Sequence, residues 1–230
     1  AGLLYPFGTN SRVGGQAYKA FGKSCIVFAL RNKEGNVTGL YFRSITDNEN
    51  QRHYYLKNRQ GLYPGYPAPE TQHLILTESV IDAATLLQQE VITKQYTILA
   101  LYGTNGLTDE HKQAIGEIKD LNELILFLNG DEAGRKAAKK HAETLHKLLP
   151  GVNISNIEPP QDEDVNSLLQ GHEPEIFTHL LNERIFLFSI EKKKEIPPTN
   201  GHATGLPAEA SGKAEKLDIT NPENIIYKTE

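Results

Sequence analysis

From residue 73 onward the chain alternates short apolar runs with helix-length segments, and no other feature restricts its fold as much. HLILT (73–77) gives way to SVIDAATLLQQE, YTILALYG (96–103) to TDEHKQAIGEIKD, ELILFLNG (123–130) to AGRKAAKKHAETLHKLL, and VNISNIE (152–158) to a polar loop and VNSLLQG. Continuous apolar strands spaced by amphipathic helices need a sheet covered on both faces. The spacing therefore predicts an α/β doubly wound domain, mainly parallel, with helices on both faces of the sheet.

Ligands of such sheets bind beyond the carboxyl ends of the strands, so the residues left there are the candidates. LILT is followed by Glu78, with Asp82 one helical turn later on the same face; ILALYG is followed by Thr104. LILFL is followed by Asn129 and Asp131, and the loop PPQDEDVN carries Asp162, Glu163, Asp164 and Asn166. Carboxylates gathered at one edge repel one another and are costly to bury unpaired, so the pattern calls for a cation. An all-oxygen set without Cys or His favours Mg²⁺ or Mn²⁺ over zinc. A single acid at a helix start is ordinarily a cap; three coincident positions favour the metal.

The first 70 residues are different. They hold nine Lys and Arg against four acids, +5, within a chain of 230 residues whose net charge is -5, so the remainder carries -10. Such a division suggests one part that grips a polyanion and another that holds cations. Residues 24–31, 37–45 and 52–57 are rich in β-branched and aromatic residues, and NKEGN between the first two predicts a hairpin or small meander. GLYPGYPAPETQ then reads as a linker. The expected division is a small basic β-rich subdomain at 1–70, an α/β domain at 71–183 and a linker or tail at 184–230, in part disordered. Cys25, the single cysteine, lies in an apolar run and is expected in the core. No apolar run approaches the ~20 residues that span a bilayer, and no charged-then-apolar leader opens the chain. A soluble, cytoplasmic protein with no membrane partner is expected.

LILTESVIDAATLL, then LFLNGDEAGRKAA about fifty positions on, then PPQDEDVNSLL, together resemble the Toprim domain as found in bacterial DnaG-type DNA primases. Upstream, SCIVFALRNKEGNVTGLYFRS and HYYLKNRQGLYPG are similar to the small basic subdomain that precedes Toprim in the primase core, and LYGTNG to the loop after the second Toprim strand. The resemblance covers roughly residues 20–172. It implies metal-dependent nucleotidyl transfer that makes RNA primers from nucleoside triphosphates on a single-stranded DNA template. It also implies a replicative helicase as partner, through regions outside this chain, and a zinc-binding domain that one cysteine cannot supply.

By the same resemblance, Glu78 and Asp131 are catalytic, and Glu78, Asn129, Asp131, Asp164 and Asn166 bind Mg²⁺ or Mn²⁺. Asp82 and Thr104 support them. Arg43, Lys57 and Arg59 contact nucleic acid, with Tyr54 and Tyr55 as stacking surfaces. Two positions depart from the family: Asn129 stands where the first acid of a DxD pair is usual, and Ser79 replaces the glycine after the glutamate. The alternatives are therefore a Toprim nuclease or a degenerate, non-catalytic Toprim module that binds nucleic acid; a phospho-acceptor receiver would lack the basic lobe. FGKS at 21–24 is set aside as a phosphate loop because Ala17 stands at the first glycine position and no strand is expected before it. His141 and His146, five apart, are expected at the surface.

Overall fold

The computed structural model describes residues 3–9, 14–46, 52–56 and 58–190. Lys57 and most of the expected tail, 191–230, lie outside them. Three sheets are present among these residues. A two-stranded hairpin pairs β1 (Leu3–Thr9) with β2 (Gln16–Phe21). A three-stranded antiparallel sheet runs in the order β3 (Cys25–Arg31), β4 (Val37–Ser44), β5 (His53–Tyr55). At the NKEGN turn, Asn32 N–H donates to the Asn36 carbonyl at 2.9 Å and Gly35 takes φ 81°, a conformation that glycine adopts at little cost.

The five-stranded sheet contains β6 (His73–Thr77), β7 (Thr97–Ala100), β8 (Glu123–Phe127), β9 (Asn153–Ile157) and β10 (Ile185–Phe188). Its order is β10-β9-β8-β6-β7, parallel throughout except for the antiparallel edge strand β10. Between these strands run α1 (Val80–Leu86), α2 (Glu90–Thr93), α3 (Asp109–Gly116), α4 (Glu132–Leu148), α5 (Val165–Gly171) and α6 (Glu175–Asn182). The period of two along each strand divides the core. Leu74, Leu76, Leu124 and Leu126 face α3 and α4 through Ile115, Ala138, Ala142 and Leu145. Ile75, Ile125, Phe127 and Ile157 face α1, α5 and α6 through Val80, Leu86, Leu168 and Phe177. The α/β doubly wound arrangement expected from the apolar runs is the one observed.

Leu30 and Tyr41 of the antiparallel sheet join the second of these clusters. The proline-rich stretch expected as a linker is a packed seam. Leu62 is fully buried and exchanges backbone hydrogen bonds with Arg31, and Ala100 N–H donates to the Tyr63 carbonyl at 2.9 Å. Residues 1–191 accordingly form one compact unit.

Several sequence expectations need correction. A strand does precede FGKS, β2, but the chain leaves it through Gly22 into β3 and not into a helix, so no phosphate loop forms. Cys25 is half-buried at a strand end, not in the core. His141 is 3% exposed because it continues the buried stripe of Ala137, Ala138 and Ala142; its spacing from His146 bears on metal pairing and not on burial. His146 stacks flat on Phe188, centroids 4.1 Å apart. Among the described residues no helix is long and apolar enough to cross a membrane.

Candidate active site

Three turns bring the acids together. Glu78 leaves the end of β6, and Asn129 N–H and Nδ2 both donate to its carboxylate, each at 3.4 Å. The turn after β8 is fixed by close approach. A Cβ on Gly130 would meet the Pro160 carbonyl oxygen at 2.0 Å, and one on Gly134 would meet the Asn129 oxygen at 2.2 Å. Glycine at both positions lets the loop after β9 lie against the turn, and Gly130 N–H donates to the Glu163 carbonyl at 2.8 Å. Arg135 adds a bond from its guanidinium to the Gly130 carbonyl.

Asp131 is the N-cap of α4, one oxygen accepting from Gly134 N–H at 2.6 Å. Asp164 likewise caps α5, accepting from Ser167 N–H at 2.7 Å. Each leaves its second carboxylate oxygen without a hydrogen-bond partner among the described residues. Capping and ligation are therefore compatible: the cap engages one oxygen of the carboxylate and leaves the other unused. Burial raises the Glu78 pKa, and the charges of Asp131 and Asp164 raise it further against the Asn129 bond. Asp82, 3% exposed, accepts from Ser79 N–H and Oγ at 3.1 and 2.7 Å in a capping box. Burial pushes its carboxyl up to about 7, with Asp164 and Glu78 adding to the effect.

Facing this edge is the antiparallel sheet. Tyr41 and Arg43 project from one face of β4, paired with Tyr55 and His53 of β5. Together with Arg52 they enclose, with Glu78, Ser79, Asp82, Tyr102, Asn129 and Asp164, a cavity of 280 Å³. One wall is acidic and the other basic. Arg59 stands beside it, its guanidinium 4.7 Å from the Tyr55 centroid and 4.3 Å from that of Tyr102, in cation–π reach of both rings, which meet edge to face. The Tyr102 hydroxyl donates to the Gly61 carbonyl, which joins the loop after β7 to the basic side.

Of the residues singled out in the sequence, Arg43, Glu78, Asp82, Asn129, Asp164 and Tyr55 line this cavity, and Asp131 lies beside it within electrostatic reach of Glu78. Asn166 turns away, its Oδ1 accepting from Thr85 at 3.4 Å in the seam between α1 and α5. Thr104 lies in a separate depression with Asn105, Lys136 and Lys140. Tyr54 packs edge-on to Phe21. Tyr41, Arg52, His53 and Tyr102 were not singled out. The two-residue alternation of β4 carries a signal for Tyr41, which shares a face with Arg43.

The donor chemistry suits a hard cation: carboxylate and amide oxygens, with the Glu78 and Asp82 carboxyls raised first by burial and then by the neighbouring carboxylates. In the present arrangement, no three of the described His, Cys, Asp or Glu residues are close enough to hold one. The ligands would have to converge by a rotation of side chains about the capped carboxylates.

Residues 75–169 match the model of a family described as Toprim-like. The chain is 28% identical to the DNA primase of Escherichia coli strain K12 over 219 residues, which cover 88% of this chain and 35% of the relative. The chain thus spans about a third of the length of the curated relatives it matches. In fold it is similar to a DNA primase domain from Pseudomonas aeruginosa, TM-score 0.62 at 23% identity, covering 81% of this chain and 58% of that one. It is also similar to a DnaG primase catalytic domain bound to single-stranded DNA, TM-score 0.60 at 23% identity, covering 80% and 56%.

Proposed function

Residues 75–169 being a Toprim-like domain in a chain related to bacterial DNA primases, we propose that this protein is a primase catalytic core. It joins ribonucleotides into RNA primers on a single-stranded DNA template in the cytoplasm. The observation that carries the reading is the single cavity with a carboxylate edge on one wall and arginines on the other. Glu78, Asp131 and Asp164 would hold Mg²⁺ or Mn²⁺, with the Asn129 amide oxygen as a neutral donor. When bound, such cations offset triphosphate charge and favour in-line attack at the α-phosphate.

The chain's own residues do the remainder. Arg43 and Arg52 neutralise phosphates on the wall opposite the acids, and the Arg59–Tyr55–Tyr102 cluster offers rings at the cavity's edge. Glu78 would accept the proton of a primer 3′-hydroxyl as the new phosphodiester bond forms and pyrophosphate leaves. Contact with a replicative helicase falls to regions outside this chain.

Asn129 supports a second reading, a Toprim module that binds nucleic acid without turnover, because an amide there removes one charge from the cation site. Incorporation of labelled ribonucleotides on single-stranded DNA with Mn²⁺ separates the readings. A primase core gives template-dependent oligoribonucleotides that Glu78→Gln abolishes. Strand cleavage without nucleotides points to a nuclease, and DNA binding without either product points to the non-catalytic module.

A further inference from the structure

A second cavity, of 310 Å³, lies against the turn between β8 and α4 and shares only Asn129 with the acidic cleft. Leu128, Ala138, Ile157 and Leu180 make much of its wall apolar. Two polar groups in it are unexplained by the fold. Asn156 sits in β9 on the same strand face as Ile154, where the surrounding pattern calls for an aliphatic side chain. It is 8% exposed, and its Oδ1 is shut off from solvent with no hydrogen-bond partner. Its Nδ2 also makes no hydrogen bond among the described residues. With Oδ1 shut off, only the Nδ2 end can meet the cavity; a half turn about the last side-chain bond would present the oxygen in its place, so the amide offers a donor or an acceptor, one at a time. A buried amide left in this state costs about 1–3 kcal/mol.

The second group is Arg135. It is half-exposed on the cavity wall and bonds the Gly130 carbonyl and Gln161 Oε1, but pairs with no carboxylate among the described residues. Glu158 lines the same cavity, but no hydrogen bond or ion pair joins it to Arg135. An apolar slot with an amide edge within and a free cation at its rim matches a nucleotide in three respects. The flat base meets aliphatic walls, a polar group on the base edge meets one end of a carboxamide, and phosphate meets guanidinium. The volume lies at the lower end of the range for small-molecule sites, about 300–1,000 Å³, which suits a monophosphate.

We propose that this cavity is a nucleoside monophosphate site, with an adenine-type base on Asn156 and the phosphate on Arg135. The proposal is independent of turnover at the acidic cleft. AMP, adenosine and ribose 5-phosphate are titrated into the protein by calorimetry in excess EDTA, which keeps cations out of that cleft. AMP should bind more tightly than adenosine and ribose 5-phosphate. Asn156→Leu should weaken AMP at least tenfold, and Arg135→Gln should reduce AMP to the level of adenosine. Thermal melting checks that Asn156→Leu folds; should it not, Leu180→Phe, which fills the cavity from α6, must produce the same loss. Absence of AMP binding, binding unchanged in a folded Asn156→Leu or Leu180→Phe variant, or ribose 5-phosphate bound as tightly as AMP would each overturn the assignment.

Discussion

Asn129 is a donor where the family resemblance leads one to expect an acid. Its backbone and side-chain N–H groups both reach Glu78 at 3.4 Å, and they offset part of the cost of holding a half-buried carboxylate near Asp131 and Asp164. Aspartate at this position would lose the side-chain bond and add a like charge. Asn129→Asp should therefore destabilise the cation-free protein by about 1–3 kcal/mol. Thermal melts in EDTA measure this, and Mn²⁺ should raise the variant's melting temperature more than the parent's; a variant as stable as the parent without cations would show that the amide does not support Glu78. The sequence gives the acids and their order, since each follows an apolar run. It does not disclose that Asp131 and Asp164 cap helices with one oxygen while leaving the other unused, because cap and ligand share the same residue types.

At the scale of elements, the long apolar runs are legible and the short or exposed ones are not. β6 and β8 fill both sheet faces and read at once, whereas β10 is half-exposed at Ile185 and Phe186 and shows no alternation between buried and exposed positions. It is held instead by charge. Arg184 donates to Glu123 from Nε at 2.7 Å and from Nη2 at 3.0 Å, and Ser155 Oγ donates at 2.6 Å. Burial pushes the Glu123 carboxyl up, but these bonds outweigh it and hold the pKa below the ordinary value. Arg184→Met should cost about 3–5 kcal/mol by leaving a buried charge unpaired, and adding Glu123→Leu should recover much of the loss. Denaturant titration of the single and double variants decides; equal loss in both would mean that the pair does not act as a unit.

His111, in the first turn of α3, makes one contribution to the pH dependence of stability. His111 is fully buried, Nε2 at 2.9 Å from the Ala100 carbonyl and Nδ1 at 2.7 Å from Thr108 Oγ1, and burial lowers its pKa to about 4. Above pH 6.5 the ring is neutral in both the folded and unfolded chains. Between 6.5 and about 4 only the unfolded chain takes the proton, so folding stability falls as pH falls across that window, by about 3 kcal/mol in all. In the parent this is opposed by Asp82, whose carboxyl, raised to about 7, takes its proton first in the folded chain and so favours folding as pH falls; the His111 slope is therefore read as the difference between the parent's profile and that of His111→Gln. A slope unchanged in the variant would assign it to another group.

For the molecule as a whole, the charge division between the first 70 residues and the remainder is partly realised in the cleft. Arg43 and Arg52 of the basic part face Glu78, Asp82 and Asp164 of the acidic part across one cavity. Composition gives the two signs, but which residues meet depends on Leu30, Tyr41 and Leu62 burying themselves against the α/β core, and a proline-rich segment gives no sign of that packing. Function on this account requires that the acidic wall hold a cation. Mn²⁺ binding measured by electron paramagnetic resonance on the parent, Asp131→Ala and Asn129→Asp is the most direct test. Binding to the parent is expected, with at least tenfold weaker binding in Asp131→Ala and tighter binding in Asn129→Asp, since each carboxylate adds charge at the site. Mn²⁺ bound equally by the parent and Asp131→Ala would contradict this.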